Sequence, residues 1–198
     1  MRIPGPEVIN PTSVPSLKWG IIGPGGIAEV FVAACQKHTA QKFHTVASRT
    51  PGRAEEFAKK FEIPKTHDSY AVLVADSEID AVYIASWQVE HYEHAMLALN
   101  AGKHVLVEKP ITVLPEHAKE IFALAREKGL LAMEAMWTRY LPQSTIIRKL
   151  LASGELGKPQ LFTANFSADN RHIARLWQKG GGSIIYDMGI YPIAMSQQ

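Results

Sequence analysis

Cysteine is almost missing from this chain: Cys35 stands alone among 198 residues, so no internal disulfide can form. It falls in the apolar stretch VFVAAC of an expected first helix, where packing is its expected role. An excess of charge of one sign is missing too. Twenty-one basic and 19 acidic side chains leave a net charge of +2, spread along the whole sequence, which removes the single-sign field that nucleic-acid binding requires. No apolar run has the length needed to span a bilayer. The opening MRIPGPEVINPTSVPS has neither a basic n-region nor an apolar h-region. A cytoplasmic location follows by default, with neither nucleic acid nor membrane among the expected partners. Internal repeats and low-complexity tracts are absent.

What the sequence does have is a strand-like run, LKWGII, joined to a helix-like run, AEVFVAA, through Gly23-Pro24-Gly25-Gly26-Ile27-Ala28. This spacing reads G-x-G-x-x-A. The first glycine permits a sharp turn, the second lets the backbone approach a pyrophosphate, and the small third residue lets helix and strand pack closely. A helix starting near Gly26 aims its unpaired N–H groups and the positive end of its dipole at the phosphates.

Beyond this motif, short apolar runs alternate with amphipathic ones. Strands are expected at residues 17–22, 43–48, 80–86, 103–108 and 130–135, and helices near 26–38, 51–61, 68–75, 90–101 and 115–128. Such alternation predicts an α/β fold: a Rossmann doubly wound parallel sheet covered on both faces. Residues 1–16, with four prolines, read as an extended N-terminal arm. Residues 17–140 read as the dinucleotide-binding domain, and 141–198 as the beginning of a second, α/β or α+β domain. In the latter, TIIRKLLASGELGKP reads as a helix with a glycine-terminated end, QLFTANFSA alternates like a strand, and GGGSIIYDMGIYPIAMSQQ starts another helix. One strand cannot make a sheet, so this second domain is expected to be incomplete, as in a truncated form or a fragment.

Three spaced motifs, GxGxxA, then AGKHVLVEKP, then GGGxxxDxGxY, together resemble the Gfo/Idh/MocA family of NAD(P)-dependent oxidoreductases across essentially the whole chain after the arm. MEAMWTRYLP is similar to the stretch found in the subgroup containing dimeric dihydrodiol dehydrogenase and NADP-dependent D-xylose dehydrogenase. The resemblance implies a Rossmann domain followed by an α/β domain on a large open sheet. It also implies a homodimer or higher homo-oligomer in a full-length form.

Cofactor choice can be argued from the end of the second strand, where NAD-binding proteins carry an acid for the ribose 2′-OH. Here the sequence is VASRT. Ser48 and Arg49 replace the acid, and a guanidinium pairs with a 2′-phosphate that a carboxylate would repel. Arg53, four residues on near the start of the following helix, either joins that clamp or is a solvated surface charge. NADP is therefore expected in preference to NAD, with Gly23, Gly25, Gly26, Ile27, Ala28, Ser48, Arg49 and Arg53 at its adenosine and phosphates. The family's T-P-N-x-x-H segment is replaced here by Ser86-Trp87-Gln88-Val89-Glu90-His91, a departure that puts tryptophan where proline stands. Ser86 and His91 are assigned to the cofactor on this match, although a packing or capping role suits His91 equally. His91 and His94 are three apart on a helix, but no third ligand lies within sequence reach, so no metal is expected.

Glu108, Lys109 and Pro110 fall just past an apolar strand, at the carboxyl edge where open α/β sheets bind ligands. The resemblance implies that Lys109 lies beside the nicotinamide and the reacting hydroxyl, with Glu108 nearer the cofactor. An ammonium at that place stabilises a developing alkoxide. The third motif supplies Asp187 and Tyr191, four apart and on one face if residues 184–195 are α-helical. By resemblance Tyr191 is the acid/base catalyst. A free tyrosine titrates at about 10, so the reading needs a neighbouring cation, which Lys109 supplies; Asp187 orients substrate or the lysine. Trp137 and Arg139 match positions lining the substrate pocket, and Phe166 and Arg175 are further members of it. The implied reaction is hydride transfer between NADP and a secondary or anomeric hydroxyl of a sugar, polyol or cyclic diol. The alternative is a non-catalytic NADP-binding sensor or regulator, or an inactive truncated form, on the same scaffold.

Overall fold

The computed structural model describes residues 3–178 and 183–197, the side chain of Arg175 excepted. Two compact units divide the chain: Asn10–Ala135, and Met1–Ile9 together with Met136–Gln198.

The first unit is built on six parallel strands: β1 (Lys18–Ile22), β2 (Lys42–Ala47), β3 (Lys65–His67), β4 (Ala81–Ile84), β5 (His104–Val107) and β6 (Ala132–Glu134). Their spatial order is β3-β2-β1-β4-β5-β6. Five helices connect them: α1 (Gly26–His38), α2 (Arg53–Phe61), α3 (Tyr70–Ala75), α4 (His91–Asn100) and α5 (Pro115–Glu127). The chain runs outward from β1 to β3, returns to pair β4 against the other side of β1, and runs outward again. The doubly wound parallel sheet anticipated from the alternation is therefore present, with its switch point between β1 and β4.

Alternation within the strands gives the sheet two apolar faces. Ile22, Val82, Ile84 and Val107 pack under Leu73, Leu99 and Ile121 of α3, α4 and α5. Their neighbours Ile21, Val46 and Tyr83 point the other way, onto Val32 of α1 and Phe57 and Phe61 of α2. Each fully buried Leu, Ile or Val contributes about 1.5–3 kcal/mol. Phe31 stacks on Tyr83 at 4.1 Å and meets Trp19 and Phe43 edge-on at 6.0 Å. Cys35 of α1 is partly buried, and burial pushes its thiol up to about 11. That is the packing role, not the depressed value of a reactive thiol.

β3 was not foreseen. Its three residues, Lys-Thr-His, carry no apolar alternation, and the strand exists because Thr45, Val46 and Ala47 of β2 offer an edge to Lys65, Thr66 and His67.

In the second unit, α6 (Pro142–Ser153) starts on a proline and stops at Gly154, whose φ of 73° is left-handed. The N-terminal segment lies on it: Glu7 N–H donates to Thr145 Oγ1 at 3.0 Å, and the Lys149 ammonium donates to the Gly5 carbonyl at 3.0 Å. The stretch 160–168, anticipated as a strand, is not one. It has no ladder partner among the described residues, and Leu161 stays 83% exposed. Alternation prepares one face of a strand but cannot supply the neighbour it must pair with. The last helix also departs from the α-helix expected over 184–195. A π turn spans Ile185–Gly189 before α7 (Ile190–Ser196), so the four-residue step from Asp187 to Tyr191 is not α-helical spacing.

Candidate functional site

In the first unit the carboxyl ends of β1, β2, β4 and β5 share one edge of the sheet. The turn leaving β1 is shaped by Gly23, whose φ is +86° and where a Cβ would stand 2.7 Å from the Ser86 backbone nitrogen. Only glycine fits. Gly25 differs: its φ is −114°, it is the N-cap of α1, no side chain caps the helix, and a Cβ there would meet nothing within 4 Å. The turn thus leaves open space directly before a helix N-terminus whose first amides have no side-chain partner, the arrangement that receives a pyrophosphate. Ala28 is fully buried against the sheet, while Ile27 is exposed.

A cavity of about 380 Å³ opens at this edge and brings together Gly23, Gly25, Ser48, Arg49, Arg53 and Ser86. Gly26 and Arg53 line a second cavity of about 330 Å³ between α1 and α2, beside the Lys60–Glu29 ion pair. Ser48 Oγ accepts the Thr50 N–H at 3.0 Å and so shapes the turn into α2. Tyr70, Trp87 and Glu90 also line the first cavity. Glu90 forms an ion pair with Arg49, whose guanidinium lies 5.5 Å above the Tyr70 ring. No local pattern marks Tyr70, whereas the replacement of the family's proline by Trp87 was the visible sign of a different wall.

His91 and Glu108 do not line that cavity. The His91 ring is 1% exposed, with Nδ1 2.9 Å from the Pro110 carbonyl and Nε2 3.0 Å from the Ser86 carbonyl, so it ties the segment after β4 to the segment after β5. Of the roles open to it, this geometry is packing and positioning. A neutral imidazole has one N–H and can serve only one of these carbonyls; burial pushes its pKa down. Glu108 is buried, accepts the Tyr83 hydroxyl at 2.6 Å and the Lys109 backbone N–H at 3.2 Å, and burial pushes its carboxyl up. Lys109 stands two residues past the end of β5, half-buried, before a cis bond to Pro110. His94 does not join His91 as a ligand pair: its Nδ1 lies 2.8 Å from Ser86 Oγ and its ring meets Tyr70 edge-on. Among the described residues, His44, Asp76 and Glu78 do cluster as metal ligands could, but the Lys65 ammonium bridges both carboxylates and supplies the cation.

In the second unit, three of the anticipated residues meet. Trp137 Nε1–H donates to the Tyr191 hydroxyl at 3.2 Å, and the Phe166 ring lies 4.9 Å from that of Tyr191, edge-on. Trp137 and Phe166 are both about half exposed, as walls of a binding site must be. Asp187 is half-buried in the π turn, its N–H donating to the Ser183 carbonyl at 3.0 Å. Arg139 is half-buried; its carbonyl accepts from Arg148 at 2.8 Å, and its Nε is buried without a hydrogen-bond partner among the described residues. The side chain of Arg175 lies outside the described residues.

A doubly wound parallel sheet with a glycine turn and a helix N-terminus at its switch point, and two arginines past the end of the adjacent β2, defines a nucleotide-binding α/β protein. The comparisons with known proteins narrow this class. The chain belongs to the Gfo/Idh/MocA oxidoreductase family with an NAD-binding Rossmann fold, whose family model matches residues 17–136; the Gfo/Idh/MocA C-terminal domain matches residues 145–198. It is 38% identical over 180 residues to trans-1,2-dihydrobenzene-1,2-diol dehydrogenase of Macaca fascicularis, covering 89% of this chain and 54% of that one. It is 36% identical over 203 residues to D-xylose 1-dehydrogenase (NADP(+)) of Hypocrea jecorina, covering 90% and 51%. The chain thus spans about half the length of the curated relatives it matches. Among solved structures, a 3-ketoreductase from Actinomadura kijaniata in complex with NADP and TDP-benzene is similar at a TM-score of 0.79 and 34% identity, over 90% of this chain and 56% of that one.

Proposed function

We propose that this chain serves an NADP-dependent dehydrogenase that moves hydride between the nicotinamide and a carbon bearing a secondary or anomeric hydroxyl, in a sugar, polyol or cyclic diol. Residues 17–140 would form the cofactor domain and 141–198 would belong to a substrate and dimerisation domain. The observation that carries the reading is the junction of Ser48, Arg49 and Arg53, at the end of β2, with the open glycine turn in one cavity. No acid follows β2 to bind a ribose 2′-OH; two guanidinium groups stand there instead, matched to a 2′-phosphate. The dihydrodiol and D-xylose dehydrogenases to which the chain is similar support the reaction class.

Bound NADP supplies the hydride acceptor at its nicotinamide ring. The α1 N-terminus and the Gly25 backbone would hold the pyrophosphate, and Arg49 and Arg53 would hold the 2′-phosphate. Lys109, two residues past the end of β5, would supply an ammonium against charge developing on the substrate oxygen. Tyr191 Oη takes the hydroxyl proton, with the phenol oriented by the Trp137 N–H. Trp137 and Phe166 offer ring faces to the carbon skeleton of the substrate, and Asp187 orients it.

Replacing Arg49 by Asp tests the assignment. It puts a carboxylate where the 2′-phosphate binds, so NADP affinity should fall by at least about tenfold more than NAD affinity, a difference of about 1.4 kcal/mol or more. Equal losses for the two cofactors, measured by calorimetry, would refute the clamp.

A further inference from the structure

We infer that Glu90 competes with the cofactor's 2′-phosphate for Arg49, and so sets this chain's preference for NADP below what its two arginines would give. The inference rests on the reading of the 380 Å³ cavity as the NADP site.

The charged side chains lining that cavity are Arg49, Arg53 and Glu90, two cations and one anion. Arg49 enters from the end of β2 and Glu90 from the segment after β4, so their ion pair crosses the switch point above the turn of β1. The two partners are not equally held. Glu90 closes the 3₁₀ turn Gln88–Glu90, its N–H donating to the Trp87 carbonyl at 2.8 Å. It is followed at once by His91, whose ring is pinned between two carbonyls. Its side chain is 23% exposed against 61% for Arg49. The carboxylate is therefore the fixed member and the guanidinium the adjustable one.

A 2′-phosphate, which carries close to two negative charges near neutrality, must share Arg49 with Glu90 or take it away. Either way it meets an anion within a Debye length, and the repulsion subtracts from binding. A ribose 2′-OH is uncharged and meets no such opposition. The penalty therefore falls on NADP and spares NAD.

Glu90→Gln removes the charge while keeping an oxygen that can accept from Arg49. Calorimetric titration of the native chain and this variant with NADP and with NAD reads the effect. NADP should bind about three- to tenfold tighter to the variant, the range expected for one charge near the surface. NAD should gain less than twofold. The NADP gain should shrink in 0.5 M NaCl, which a purely conformational effect would not do. Glu90→Ala, which removes both charge and acceptor, should also bind NADP more tightly than the native chain. Weaker or unchanged NADP binding in either variant would overturn the inference, because Glu90 would then be positioning Arg49 for the phosphate. Equal gains for both cofactors would overturn it as well. A native chain that binds neither cofactor contradicts the NADP reading itself, a different failure from an altered ratio.

Discussion

Gly23 and Gly25 stand two positions apart in one turn, yet different constraints hold them. Gly23 combines a left-handed φ with a backbone atom 2.7 Å from any Cβ. Gly23→Ala should therefore cost about 2 kcal/mol or more of stability, through strain and collision together. Gly25 has an ordinary extended φ and free space around it. Gly25→Ala should stay within about 1 kcal/mol of the parent in urea denaturation, the size of a changed N-cap. Its methyl group would nonetheless fill the space a pyrophosphate needs, so NADP and NAD should both lose about tenfold or more in affinity. A Gly25→Ala chain that binds both cofactors normally would show that the pyrophosphate does not approach this turn. The pair separates folding from binding within three residues, and it acts on both cofactors alike, whereas Arg49 and Glu90 act on their ratio.

At the scale of elements, the buried His91 imidazole joins the segments after β4 and β5, and the buried His94 ring packs between Ser86 and Tyr70. Burial pushes both His91 and His94 below the usual histidine value of 6.5. In the unfolded chain both take up protons as the pH falls through about 6.5, while in the folded chain they stay neutral to lower pH. The unfolded state therefore binds more protons in that window, and stability present above pH 6.5 is lost on acidification below it. The midpoint of thermal unfolding should fall between pH 7 and pH 5, and this slope should be shallower in His94→Gln. A Tm that is flat or rises over that range would contradict the burial of these rings. The elements that could be read from the sequence were those with their own period and boundaries. α1 runs over residues 26–38 as anticipated, because its apolar face and the glycine turn before it are local signals. β3 had no such signal, since an edge strand of Lys, Thr and His is defined by the β2 edge it joins. QLFTANFSA carried a strand's alternation without a ladder partner among the described residues, and its Phe166 reaches the Tyr191 ring instead. The pairing of Arg49 with Glu90 joins positions 41 residues apart, and no spacing rule connects them.

On the scale of the whole molecule, the charge balance of +2 leaves recognition to the local arrangement of a few groups, because no overall field steers a dinucleotide to the sheet edge. The surface ion pairs, such as Lys60–Glu29, are each worth little. The two buried apolar faces of the six-stranded sheet hold the site's strand ends in place. No helix among the described residues is long and apolar enough to cross a membrane. The most direct test of the account is a side-by-side calorimetric titration of the 198-residue chain with NADP and NAD at one salt concentration. The account predicts saturable binding of one dinucleotide per chain, tighter for NADP than for NAD. Binding that favours NAD, or binding of neither, would contradict it.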